Sequence, residues 1–218
     1  IDRLQTHPFP AHPAAVLPMF KGLGSATSPL MQLAFSNLWF FSGLIRAKLA
    51  SNPEAIATIR TTTAPTIIKG GVKDNVLPSV AEAVINFRLL PGDSIASVCE
   101  QVRRIINDAR VTFEPMADKA WEASPVSPVE CKAFQHIANV TTELFPGTAI
   151  APYMMLGATD GRNFCDISEQ VYRYSPVLVA PEDMHRVHGV NERISLDAMH
   201  KMAEFFYRLI PRWVSPEM

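Results

Sequence analysis

The residues richest in chemistry lie near the end of the chain, in Met184-His185-Arg186-Val187-His188-Gly189-Val190-Asn191-Glu192-Arg193-Ile194. Two histidines stand three apart beside a carboxylate, two guanidiniums and an amide. Neutral imidazole suits zinc, and Glu192 or Asn191 could orient the second ring nitrogen of His188. A pair of solvated loop histidines has the same residue types, so both readings stay open at this point. A second constellation, Gly157-Ala158-Thr159-Asp160-Gly161-Arg162, follows the apolar residues 150–156. Its hydroxyl, amides and guanidinium fit a pocket for an oxyanion or a carboxylate. A helix N-cap by Thr159 or Asp160 beside a surface arginine fits the same residues. Arg88 is the third feature, because a cation in an apolar strand needs an anionic partner or an exposed face. Asn75, in Asn75-Val76-Leu77-Pro78, reads on its own as a turn residue. A serine hydrolase finds little support: Ser25 in Gly22-Leu23-Gly24-Ser25-Ala26 follows no strand and lacks the nucleophile-elbow pattern.

The elements that must position these groups are readable from periodicity. Residues 2–12 start as a short helix and pass into His7-Pro8-Phe9-Pro10-Ala11-His12-Pro13, whose prolines impose an extended path. Residues 20–29, rich in glycine and serine, read as loop. Apolar residues at helical steps predict one long helix over 30–49, stopped by Ser51-Asn52-Pro53. Met31, Phe35, Trp39 and Phe40 give that helix a second apolar face, for packing on two sides or at an interface. Residues 57–63 and 65–69 carry strand signals, Gly70-Gly71 marks a turn, and 81–89 reads as a half-covered strand. Ser94 caps a helix to about Asn107, with Val98, Val102 and Ile105 on one side, and 111–113 is a last short strand. The first part is therefore an antiparallel sheet with helices on one face.

Residues 116–128 shift to small, proline-rich and charged composition. Beyond them the order becomes helix (130–144), strand (148–155), turn with a short helix (157–164), strand (171–177), polar loop and helix (196–209). That alternation predicts an α/β sheet covered on both faces. The expected division is a first domain over 1–115, a linker over 116–128 and a second domain over 129–218.

Whole-chain balance narrows the function further. The 218 residues are 48% hydrophobic and 19% charged with net charge −1, which calls for neither nucleic acid nor a membrane surface. Cys99, Cys131 and Cys165 are far apart, so no zinc knuckle or disulfide framework is indicated, a pattern compatible with a reducing compartment. Residues 31–49 carry too many polar groups for a spanning helix. The chain opens on Ile1, so an upstream segment is expected and localisation is not readable from its start.

Taken jointly, Asn75-Val76-Leu77-Pro78 with Phe87-Arg88, then residues 157–162, then His188-Gly189-Val190-Asn191-Glu192-Arg193-Ile194 resemble the M20 metallopeptidases. This group includes carboxypeptidase S-like peptidases, aminoacylase and succinyl-diaminopimelate desuccinylase. His7-Pro8-Phe9-Pro10-Ala11 is similar to the lid segment of the carboxypeptidase S-like branch. The resemblance implies an α/β catalytic domain with two zinc ions, interrupted by a smaller lid domain that forms a homodimer. It makes residues 1–115 most of the lid and 129–218 the C-terminal segment of the catalytic domain. His188 becomes a zinc ligand. Asn75 and Arg88 become lid residues that reach the substrate's carbonyl and carboxylate, Asn75 across the dimer in family members of this arrangement. Thr159 and Arg162 line the pocket for the substrate's carboxylate.

The implied substrate is a small peptide or an N-acyl amino acid, hydrolysed at its amide by a zinc-activated water whose proton passes to a glutamate. The sequence contains no His-x-Asp, no Glu-Glu pair and no Gly-His-Ser-Ser-like lid motif. One histidine cannot hold a catalytic zinc, which takes three protein ligands and an open position. The remaining ligands and the general base are expected upstream, and this chain alone is expected to be inactive. The alternative is a non-catalytic dimerisation or binding module on the same fold; the residues preceding Ile1 distinguish the two. A mononuclear site on His185 and His188 predicts that both histidines matter equally, whereas the family likeness singles out His188.

Overall fold

The computed structural model describes residues 1–23, 28–50 and 52–214. Residues 24–27 of the expected loop and Ser51 of the expected helix stop lie outside the described residues. The architecture is mixed helix and strand, with one antiparallel strand pair among the described residues. Two units divide the chain: Ile1–Pro125 with Tyr153–Gly157, and Val126–Pro152 with Ala158–Met218. Among the described residues no helix is long and apolar enough to cross a membrane.

In the first unit, α1 (Asp2–Thr6) leads into the proline-rich run, and α2 (Leu17–Leu23), α3 (Pro29–Ser36), α4 (Leu38–Ala50) and α5 (Pro53–Ala57) follow. The single helix expected over 30–49 is two, broken at Asn37. The Asn37 side-chain amide donates to the Leu33 carbonyl at 2.9 Å, while the Phe40 and Phe41 amides both donate to the Asn37 carbonyl at 3.0 Å. An asparagine side chain that competes for backbone partners favours such a break. Val16, Phe20 and Ile59 form a buried cluster, with Ile45, Leu49 and Ile56 packed on it. Of the second apolar face, Trp39 is 83% and Phe40 68% exposed.

Strand signals over 57–63 yield in part to helix: α5 ends at Ala57 and the first strand starts at Thr62. β1 (Thr62–Gly70) pairs antiparallel with β2 (Ala81–Arg88), Thr62 opposite Arg88 and Gly70 opposite Ala81. The register slips between Pro65 and Ile67, leaving Thr66 as the extra residue of a bulge beside a proline that has no N–H to pair. The Thr66 hydroxyl donates to the Val84 carbonyl at 3.2 Å. Period-two alternation then sorts β2 by face. Ile85 and Phe87 pack with Leu89 on Leu4, Phe9, Val98 and Val102, whereas Asn86 and Arg88 are exposed. α6 (Ile95–Ile106) supplies Val98 and Val102, and it starts at a reciprocal capping box: the Ser97 amide donates to Ser94 Oγ and the Ser94 amide to Ser97 Oγ. Asn107 ends it in the left-handed region, at φ 41°. Residues 111–113 join no ladder; Val111 and Phe113 are exposed.

The second unit is built on α7 (Lys132–Leu144) and α8 (Leu196–Val214), which pack through Ile137, Val140, Phe205 and Leu209. Residues 148–155 and 171–177, expected as strands, have no ladder. A strand is stabilised as such by a neighbour that takes its N–H and C=O groups, and among the described residues neither segment has one. Side chains hold 171–177 instead. Ser127 Oγ bonds both the amide and the carbonyl of Val171 at 2.9 Å, Tyr172 packs on the α7–α8 cluster, and the Tyr174 ring lies 5.3 Å from that of Phe205.

Candidate functional site

The loop that carries His185 and His188 starts with a 3-10 turn, Pro181–Arg186, in the second unit. Asp183 Oδ1 meets two guanidiniums, Arg186 Nε at 2.7 Å and an Arg193 Nη at 3.1 Å. The first contact is an ion pair without hydrogen-bond alignment, since the buried Arg186 Nε has no aligned partner. One carboxylate thus ties both ends of the loop. Between them His188 and Asn191 adopt φ values of 60° and 62°, a region that costs a non-glycine residue energy and recurs at functional sites. Asparagine tolerates it; histidine does so less readily. Gly189 fits because a Cβ there would stand 3.1 Å from the His185 carbonyl oxygen. His188 is therefore exposed at a braced, strained apex.

The second constellation forms a 3-10 turn, Asp160–Phe164, with Thr159 at its N-cap position. The Thr159 hydroxyl caps nothing; it accepts a hydrogen bond from Arg173 Nε at 3.0 Å. Arg173 lies directly under the turn, for a Cβ on Gly161 would sit 3.1 Å from Thr159 Oγ1 and 3.2 Å from Arg173 Nε. Glycine is what lets the backbone approach the arginine so closely. Arg162 is exposed on the same turn.

In the first unit, Asn75 is exposed in the connection between β1 and β2. Arg88 lies at the end of β2 on the exposed face, and its guanidinium donates to the Leu156 carbonyl. A neutral carbonyl is the partner that the structure gives this cation.

Cys131, at the N-cap position of α7, stands 2.9 Å from the Tyr172 hydroxyl, which also donates to the Pro128 carbonyl at 2.5 Å. The phenol contact, followed by the Phe134 backbone amide, holds the Cys131 thiol below its ordinary range. Burial first, and then the Cys131 contact, push the Tyr172 phenol above its own. A single phenol proton cannot serve carbonyl and sulfur at once, so the thiolate gains that bond only at the expense of Pro128.

Residues 29–113 match the family model described as a peptidase dimerisation domain. The chain is 40% identical over 207 residues to the N-fatty-acyl-amino acid synthase/hydrolase PM20D1 of Homo sapiens, an alignment over 89% of this chain and 41% of that protein. It is 36% identical over 192 residues to the probable carboxypeptidase S-like 2 of Dictyostelium discoideum, over 88% of this chain and 37% of that protein. The chain belongs to the M20 peptidase family. It spans about two fifths of the length of these relatives. No solved structure matches it.

M20 relatives are hydrolases, and the family is generally metal-dependent. Among the described residues no three of His, Cys, Asp and Glu converge in a way that could hold a metal ion. The donors described here do not by themselves fit a zinc ion, which takes three protein ligands in a catalytic site. Within the second unit the fold organises the His188 loop and the Thr159–Arg162 turn, each by itself; Asn75 and Arg88 belong to the first unit. Sequence reasoning missed Asp183 and Arg173. An acid in Pro181-Glu182-Asp183 reads as a helix start, whereas Arg173 carried a signal: a lone cation within the otherwise uncharged 171–179 run, the same anomaly that drew attention to Arg88.

Proposed function

We propose that this chain is the C-terminal portion of a zinc-dependent amidohydrolase that cleaves the amide bond of peptides or N-acyl amino acids carrying a free carboxylate. Residues 1–115 form the lid and dimerisation domain, 116–128 the linker and 129–218 the end of the catalytic domain. His188 supplies one zinc ligand. The other ligands and the general-base glutamate lie on residues preceding Ile1. Asn75 and Arg88 address the substrate's carbonyl and carboxylate, and Thr159 and Arg162 line the carboxylate pocket. The partner is a second copy, joined through the lid.

Family membership supports hydrolysis, and the names of the relatives support the substrate class. Their greater length supports ligands outside this chain, and the dimerisation-domain match supports a homodimer. The observation that carries the reading is the His188 loop: an exposed imidazole on a left-handed backbone, braced from both sides by Asp183, is a donor held in place for a partner outside itself. A non-catalytic dimerisation module is the second reading, favoured by the dimerisation-domain match over 29–113. Purified alone, the chain is expected to bind zinc weakly and to hydrolyse no N-acyl amino acid. Measurable turnover at stoichiometric zinc overturns the proposal that the remaining ligands lie upstream.

A further inference from the structure

Arginines in the second unit mostly find carboxylates. Arg186 and Arg193 share Asp183, Arg208 meets Glu143 and Glu204, and Arg212 meets Glu143. Arg173 is different. Its Nε donates to the Thr159 hydroxyl at 3.0 Å and one Nη stands 3.9 Å from Cys165 Sγ. Neither group carries a negative charge to balance the guanidinium, and the side chain is half-buried. Removing a cation from water without a counter-charge is costly, and a guanidinium keeps its charge at any pH a protein survives. The segment around it explains how it comes to be there. Tyr172 and Tyr174 lean on α7 and α8, so the intervening Arg173 projects the other way, against the turn that carries Thr159, Gly161 and Arg162.

We propose that Arg173 is an anion-binding, specificity-determining residue and that its counter-charge, absent among the described residues, is the carboxylate of the substrate. This rests on the reading of the chain as part of an amidohydrolase for carboxylate-bearing amides. Thr159 takes the Nε hydrogen and fixes the plane of the guanidinium, leaving an Nη edge to donate to an anion. Gly161 permits the close approach. A planar fork suits a carboxylate better than a point charge does.

The test uses the full-length protein with two probes, N-lauroylphenylalanine and its C-terminal carboxamide. Wild type prefers the acid. Arg173→Gln loses about 10- to 100-fold in kcat/KM for the acid, through KM, and little for the amide, the loss expected for one charged hydrogen-bonded contact. Arg173→Lys, which keeps charge and stem, falls between the two and serves as the informative variant should the glutamine protein fail to fold. An equal loss on acid and amide in Arg173→Lys means a purely structural role and overturns the inference alone. Preserved acid-over-amide preference in Arg173→Gln does the same. A wild-type protein that cleaves both probes equally, or neither, overturns the underlying reading together with the inference.

Discussion

The β1–β2 hairpin and the 171–177 segment start from similar sequences and end in different states. Both carry apolar residues in alternation, and each has a single arginine in the run, Arg88 and Arg173. In the hairpin, backbone pairs with backbone and the arginine points to the exposed face, donating to a carbonyl. In 171–177 the backbone has no ladder partner, tyrosines anchor the chain to α7 and α8, and the arginine is drawn half inside beneath a neighbouring turn. Alternation therefore specifies which side chains share a face. It does not supply the neighbouring strand that makes a ladder.

The largest effect that would break this comparison comes from the anchor. Phe205 is 1% exposed and packs against Tyr174 with the rings tilted by 51°. Phe205→Ala should destabilise the second unit by about 3–5 kcal/mol in a denaturant melt and release Tyr174, read as a loss of near-ultraviolet circular dichroism. A cost under about 1 kcal/mol means that the segment is not held by side-chain packing. Backbone behaviour should differ next. Amides that donate within the β1–β2 ladder should exchange with deuterium about 100-fold more slowly than those of residues 173–175, as expected where local opening differs in free energy by a few kcal/mol. Equal rates would erase the distinction.

A smaller effect concerns the second tyrosine anchor. The Tyr172 contact lowers the Cys131 thiol pKa, so the alkylation rate of Cys131 should reach half its maximum at a lower pH than that of a free thiol. Tyr172→Phe removes the largest cause and should move that midpoint upward. A midpoint that does not move assigns the phenol proton to Pro128.

Local features were the legible ones. The outward Arg88, the inward Ile85 and Phe87 and the Ser94 cap each follow from a period or a pairing that spans three residues or fewer. The break at Asn37 was hidden because an apolar helical stripe continues across it, and only the side-chain competition for the Leu33 carbonyl reveals the stop. The strands expected over 148–155 and 171–177 do not form among the described residues for a tertiary reason, since no pattern within a segment shows whether a partner lies beside it. In the candidate site, the residue types and loop settings of His188 and Thr159 were readable, while their roles are proposals. Arg173 meets Thr159 across 14 positions, and Asp183 gathers an arginine 10 positions away; neither pairing follows from spacing.

The central claim is that His188, and not His185, is a metal ligand of a zinc hydrolase. Zinc content of the full-length protein, measured by elemental analysis after dialysis, tests it most directly. His188→Ala should lose bound zinc while His185→Ala retains the wild-type content. Full zinc in His188→Ala, or equal losses in both variants, would contradict the account.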